Sequence, residues 1–305
     1  MITFTDVGKT YDSWKGKRAV RALDGVTFNI SPGEVIGIAG PNGAGKSTLL
    51  NILLGYLAPT RGQISIDGKI PARFVAERGV AYVPEVITFP RFWTVGRTLR
   101  RLAALDGFVG IKGRERVAQV LEVAGLTDHV RKRTRQLSKG LARRLVLAQC
   151  LLSESDLVVF DEPIDGLDPV WVQKFRTMVS ELRRAGRVIF IASHNLAELE
   201  RVTDRVVIFD KGKVVRVVGG RHSGASLRYR IVFAAPFDAV EGHFDGLAVE
   251  STGDLEYMLV GELESMNRGL QSVIAAGALV KEFAPHRQGL ESAFLEAIES
   301  DGAVE

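Results

Sequence analysis

Between Gly40 and Ser47 the chain follows the pattern G-x-x-x-x-G-K-[ST], set in EVIGIAGPNGAGKSTLLNILLG with an apolar run before it and a helical pattern after it. No other feature narrows the fold so far. A strand must end in a tight glycine loop that opens directly into a helix, so that loop amides and the positive helix end point at one spot, which suits phosphate. Gly40, Gly43 and Gly45 permit the turn, and Pro41, Asn42, Ala44 and Thr48 complete the candidate nucleotide-binding segment. Lys46 is placed to reach β and γ phosphates, and the Ser47 hydroxyl to be a Mg²⁺ ligand. The competing reading is a glycine-rich turn that matches by accident. With average glycine usage such a match arises about once in a hundred sequences, before strand and helix flanks are required, so nucleotide binding is expected.

A second signal lies roughly 115 residues further on, in SDLVVFDEP. Leu157 to Phe160 read as a buried strand, and Asp161 and Glu162 emerge at its carboxyl end, where open α/β sheets bind ligands. Two adjacent carboxylates can divide the work. Asp161 would hold Mg²⁺, and Glu162 would orient and deprotonate an attacking water. A lone Asp there would otherwise read as a helix N-cap.

The rest of the sequence sets the organisation. Short β-branched runs (VTFNI, EVIGIAG, QISID, GVAYVP, DLVVFD, RVIFIAS, RVVIFD) alternate with helical patterns, which predicts an α/β fold with a mostly parallel sheet covered by helices. No repeat of solenoid length is present. At 305 residues with 46% apolar and 25% charged residues, the chain has the composition of a folded protein with one large and one small domain. Charge is unevenly spread. Residues 220–305 hold six Lys or Arg against fourteen Asp or Glu, whereas residues 1–219 hold 34 against 22. That shift coincides with a Gly- and Ser-bearing stretch, so the expected domains are 1–219 and 220–305, the second a small acidic α+β domain with strands in LRYRIVFAA, LAVEST, LEYMLVG and ALVKEF and helices in SMNRGLQSVIAAG and GLESAFLEAIES. No run reaches membrane-span length and the start lacks a signal-peptide pattern, so a cytoplasmic location is expected, with membrane attachment only through a partner. The single cysteine, Cys150 in VLAQCLL, excludes an internal disulfide and reads as a buried apolar residue.

Further motifs stand in a fixed order. LSKGL spans Leu137 to Leu141, IDGLDP spans Ile164 to Pro169, and SHNLAELE contains His194. With the phosphate loop and the Asp161–Glu162 pair, residues 1 to about 218 resemble the ATP-binding cassette (ABC) ATPases, a P-loop NTPase group with a helical subdomain, expected here at roughly 88–152. The resemblance implies ATP and Mg²⁺ as cofactors and ATP hydrolysis coupled to transport. Glu162, His194 and Lys46 are the catalytic candidates it implies, Ser47, Glu85 and Asp161 the metal candidates, and Asp168 the key position of the loop after the carboxylates. Tyr11 sits where the family stacks an aromatic on adenine, with nearby Trp14 competing for that place. ABC subunits pair head to tail, so Ser138, Lys139 and Gly140 are expected to act on ATP held by a partner subunit. The basic stretch RKRTRQLSKGLARRL therefore needs no nucleic acid: Lys139 and nearby Arg add field toward the triphosphate, or, for Arg131 to Arg135, form a solvated face.

The sequence departs from the common family pattern at Glu85, where many members have Gln, and at Lys139 and Leu141 in the signature, where Gly and Gln are usual. GVAYVPE and SKGL are similar to forms found in one group of bacterial exporters, including drug and antibiotic exporters and the ATPase of nitrous-oxide reductase maturation. GLESAFLEAIE is similar to the C-terminal ending of that group. The resemblance thus implies an exporter subunit whose partners are a separate integral-membrane permease and a second ABC subunit, as homodimer or pair, on the inner face of the membrane. FPRFWTVGRTLRRLAAL would meet the permease or simply pack the helical subdomain. The alternative is a soluble ABC ATPase acting on ribosomes or DNA.

Overall fold

A computed structural model of the chain describes residues 1–12, 19–86, 88–219, 227–237, 239–285, 290 and 294. Four apolar runs explain its centre. β3 (Val35–Ala39), with all five residues buried, is followed along the chain by α1 (Lys46–Leu53). Next come β4 (Arg61–Ile66), α2 (Pro71–Arg78) and β5 (Ala81–Val83), then α3 (Val95–Leu105), α4 (Gly110–Val123) and α5 (Lys139–Leu152). β6 (Leu157–Asp161), α6 (Pro169–Arg184), β7 (Val188–Ala192), α7 (Leu196–Val202), β8 (Arg205–Asp210) and β9 (Lys213–Gly219) complete this part, and two strands precede β3: Ile2–Tyr11 and Val20–Ile30. A six-stranded sheet takes the order β5-β6-β7-β3-β8-β9, parallel up to β8. Strands covered on both faces read as unbroken apolar runs, which is why these were legible. β9 returns antiparallel to β8 through Lys211–Gly212, both at positive φ (43° and 82°), the two-residue turn whose twist matches a hairpin.

Two expected strands belong elsewhere. VTFNI and QISID do not join the parallel sheet: they are parts of Val20–Ile30 and of β4, which flank Ile2–Tyr11 in a separate antiparallel three-stranded sheet. The first strand itself was not expected. Its register shifts between Phe4 and Val7, beside Asp6 at φ 48°, and this bulge breaks the alternation by which a half-buried strand is recognised. Between the two sheets lies the main core, in which Leu49, Leu50 and Leu53 of α1 cluster with Phe4, Ile38 and Phe190. Phe4 stacks on Phe28 at 4.2 Å. A second core joins α3, α4 and α5 through Val95, Leu99, Val117, Val120 and Leu145. Cys150 is buried in α5, and burial pushes its thiol up to about 12.

The chain divides into two compact units, of which the second comprises residues 221–292, ending before the expected bound at 305. The second unit carries an antiparallel sheet of β10 (Leu227–Phe233), β11 (Ala248–Gly253), β12 (Glu256–Gly261) and β13 (Val280–Pro285) in the order β11-β12-β10-β13, with α8 (Leu263–Ala275) placed between β12 and β13 in sequence. Ile231, Phe233, Phe244, Leu259, Met266 and Val273 form its own core. The expected helix in GLESAFLEAIES lies outside the described residues, apart from Leu290 and Phe294, both helical.

Candidate functional site

The glycine loop leaves the carboxyl end of β3 and turns into α1 at Lys46. Gly45 caps the helix at φ 104°, where a Cβ would stand 2.5 Å from the Ala22 carbonyl oxygen, so conformation and space both require glycine. Lys46 curls over the loop: its Nζ donates to the carbonyls of Gly40 (2.6 Å) and Pro41 (3.1 Å). Burial lowers its pKa, opposed by the negative charges of Glu162, Asp161 and Glu85. Those carboxylates arrive from neighbouring strand ends, since β5 pairs with β6 through Val83 and Phe160, and β6 with β7 through Asp161 and Ala192.

Asp161 is 8% exposed, and burial followed by the charges of Glu85 and Glu162 pushes its carboxyl up to about 6. Glu162 sits at φ 47°, a strained conformation for a residue with a side chain. It is fixed from the end of β7. The Ser193 hydroxyl donates to Oε2 and the His194 backbone N–H to Oε1, each at 2.9 Å, while His194 Nδ1 lies 2.8 Å from Oε1. The His194 side chain is otherwise exposed.

These groups face a single cleft of about 530 Å³, lined by Gly40–Gly43, Gly45–Thr48, Glu85, Asp161, Glu162 and His194, with Val20, Arg21, Ala22 and Asp165 added. The remaining loop residue, Ala44, is buried. Ser47, Asp161 and Glu85 bring a hydroxyl and two carboxylates to it, a hard oxygen set that fits Mg²⁺ shared with phosphate oxygens. Among the described residues no group of three or more His, Cys, Asp or Glu would hold a metal unaided. Tyr11 does not line the cleft; its hydroxyl lies 3.4 Å from Thr48 Oγ1. Trp14, its competitor, lies outside the described residues.

Ser138, Lys139 and Gly140 are absent from this cleft's lining. They begin α5, where the Ser138 hydroxyl accepts from the Leu141 N–H at 3.3 Å as N-cap. Lys139 does not stand free to add field to a nearby triphosphate. It is paired with Asp165 at 2.8 Å, and this hydrogen bond holds the Asp165 carboxyl below its ordinary range. Asp168 caps α6, its Oδ1 accepting from the Trp171 N–H at 3.0 Å.

Two residues were not recognised in the sequence. In sequence Ser193 is a single hydroxyl before a histidine, and only the β6–β7 register brings it to Glu162. Arg143 is 1% exposed, and its guanidinium donates to the carbonyls of Pro84 (2.9 Å), Glu85 (2.9 Å) and Asp165 (3.3 Å). A charge inside the apolar run of α5 was the available signal, but its partners are main-chain oxygens, which no side-chain pattern reports. Neighbouring Arg144 donates to the Ala124 carbonyl at 2.9 Å and stacks 3.8 Å over Trp171, so this part of the basic stretch is structural.

Residues 23–165 match the family model described as ABC transporter. The chain is 35% identical over 221 residues to the Nod factor export ATP-binding protein I of Rhizobium etli, covering 70% of this chain but 66% of that protein, slightly less than two thirds of its length. To the ABC transporter ATP-binding protein NatA of Bacillus subtilis it is 32% identical over 219 residues, which cover 70% of this chain and 88% of that one. Among solved structures, a bacterial ABC transporter cassette in dimeric form aligns with a TM-score of 0.66 at 25% identity, covering 72% of this chain and 99% of the other.

Proposed function

The chain belongs to the ABC transporter ATP-binding family, and on that footing we propose that it is the ATP-hydrolysing subunit of an exporter, driving a separate permease in the membrane. The observation that carries hydrolysis is Glu162. Its carboxylate is held by Ser193 and His194 beside the phosphate loop, with Asp161 next to it, as a base for water requires. Loop N–H groups from Asn42 to Ser47 and the Lys46 ammonium hold the phosphates. Ser47, Asp161 and Glu85 are the residues that would hold Mg²⁺, whose positive charge would offset the negative charge of the phosphates. Glu162 orients the water and takes its proton, and His194 stands at the exposed end of the same group to meet the γ-phosphate.

Ser138, Lys139 and Gly140 point to use in trans. They sit at a capped helix start and do not line their own chain's cleft, so in a head-to-tail pair Ser138 and Gly140 close the site of a second copy, with the positive end of α5 toward the phosphate, while Lys139 stays paired with Asp165. Asp168 holds the neighbouring α6 start at that junction. Tyr11, outside the cleft lining but with its hydroxyl beside Thr48, or Trp14 supports the adenine. No helix among the described residues is long and apolar enough to cross a membrane, and in this reading the permease supplies the membrane span. Export is favoured by the Nod factor relative. ATP closes the pair and hydrolysis reopens it.

The test is Glu162→Gln measured with wild type in Mg²⁺-ATP. Hydrolysis should fall at least about a hundredfold, the range of a lost general base, with ATP affinity kept. Equal rates in the two proteins would remove the assignment.

A further inference from the structure

A carboxylate stands where a site for triphosphate should avoid one. Asp165 lines the cleft together with Glu85, Asp161 and Glu162. In the proposed reaction Glu85 and Asp161 serve Mg²⁺ and Glu162 serves water, whereas Asp165 only adds negative charge to a pocket that must receive a polyanion. A cation from another element answers it. Lys139, in the middle of LSKGL, brings its ammonium to 2.8 Å from Asp165 Oδ2. The stem of this lysine crosses Gly166, where φ is +79° and a Cβ would lie 2.8 Å from Lys139 Cδ, so the path is open because that residue is glycine.

Two further contacts join the same segments. Arg143 Nε donates to the Asp165 carbonyl at 3.3 Å, and a Cβ on Gly140 would meet the Gly166 carbonyl oxygen at 3.0 Å. The first turn of α5 thus rests on the loop that follows Glu162. Of these contacts the ion pair is the one carried by a side chain of the loop, and it holds the residue between Ser138 and Gly140.

We propose that Asp165 is a positioning residue for hydrolysis in the partner's cleft: by holding Lys139 it fixes the start of α5, so that Ser138 and Gly140 meet the second chain's phosphate in register. The inference rests on the reading of the chain as an ATPase whose site is completed in trans. In this role Asp165 takes no proton and binds no phosphate; it lines one cleft and acts on the other. Both side chains of the pair are well exposed, 67% for Lys139 and 47% for Asp165, so the pair steers the helix start more than it stabilises the fold, and a contact of this kind shifts a rate by about fivefold or less.

The experiment measures ATP hydrolysis by the purified full chain in Mg²⁺-ATP. Asp165→Asn and Lys139→Ala should each lower kcat about fivefold with KM for ATP within about twofold, the double variant should fall no further than either alone, and Lys139→Arg should keep most of the rate. Complementation then separates action in the partner's cleft from action in the chain's own. A Glu162→Gln chain lacks the base in its own cleft but presents an intact signature. Mixed in excess with Asp165→Asn chains before ATP is added, it should raise hydrolysis per Asp165→Asn chain about fivefold, back to the wild-type rate. Ser138→Arg chains mixed in the same way are the control, since their own cleft is whole and only the segment lent to the partner is spoiled; they should recover too. Recovery of Ser138→Arg without recovery of Asp165→Asn would put the action of Asp165 in its own cleft and overturn the proposal, as would a wild-type kcat in Asp165→Asn or additive losses in the double variant. Failure of both mixtures would remove the split site itself, and the proposal with it.

Discussion

Glu162 holds a backbone conformation that costs roughly 1–3 kcal/mol at a residue with a side chain, and its surroundings compensate. Ser193 Oγ and the His194 N–H each give its carboxylate a hydrogen bond at 2.9 Å, the stronger kind because the acceptor is charged. Ser193→Ala therefore removes about 1.5–3 kcal/mol of positioning. We expect kcat for ATP to drop roughly ten- to a hundredfold, KM for ATP to stay within about twofold, and Ser193→Thr to recover most of the rate; steady-state kinetics of the three proteins check this. At this scale the sequence was readable where side chains carry the chemistry themselves. Lys46, Ser47, Asp161 and Glu162 announce a phosphate and metal site by type and spacing, and they line one cleft. Ser193 was not readable, because its role depends on which strand lies beside β6.

At the scale of elements, α5 does more than carry a signature. Its first turn is capped by Ser138, Lys139 ties it to Asp165, and Arg143 reaches from its buried side to the carbonyls of Pro84, Glu85 and Asp165. One helix thus fixes the segment that carries Glu85 and the segment that leads to Asp168. Removing the guanidinium leaves three acceptors without it, at roughly 1–3 kcal/mol for each one that water fails to reach. Arg143→Met should lower the melting temperature by about 6 °C or more, checked by calorimetry, and a change under 2 °C would show that the network contributes little. The helix was legible from LSKGL and the apolar run after it, the network was not. The first strand escaped notice for a related reason. Its bulge at Asp6 spoils the alternation, and its partners lie at Val20–Ile30 and β4, so the antiparallel sheet is written in pairing rather than in any local run.

At the scale of the whole molecule, the change in charge near Gly220 coincides with a change in connectivity, and the second unit has its own sheet, helix and core. A fragment of residues 221–292 should therefore unfold cooperatively when expressed alone, as circular dichroism on heating would show; a featureless, non-cooperative melt would mean that its core does not suffice. The first unit carries the site, and in the proposed function one chain holds ATP while another completes the active site. Ser138→Arg tests this most directly, with ATP hydrolysis and ATP binding measured on the same protein. The split site predicts hydrolysis reduced at least about a hundredfold, the scale of a lost electrostatic contact to the reacting group, with binding through the Lys46 loop within about threefold of wild type. Hydrolysis at the wild-type rate, or loss of binding together with hydrolysis, would contradict it.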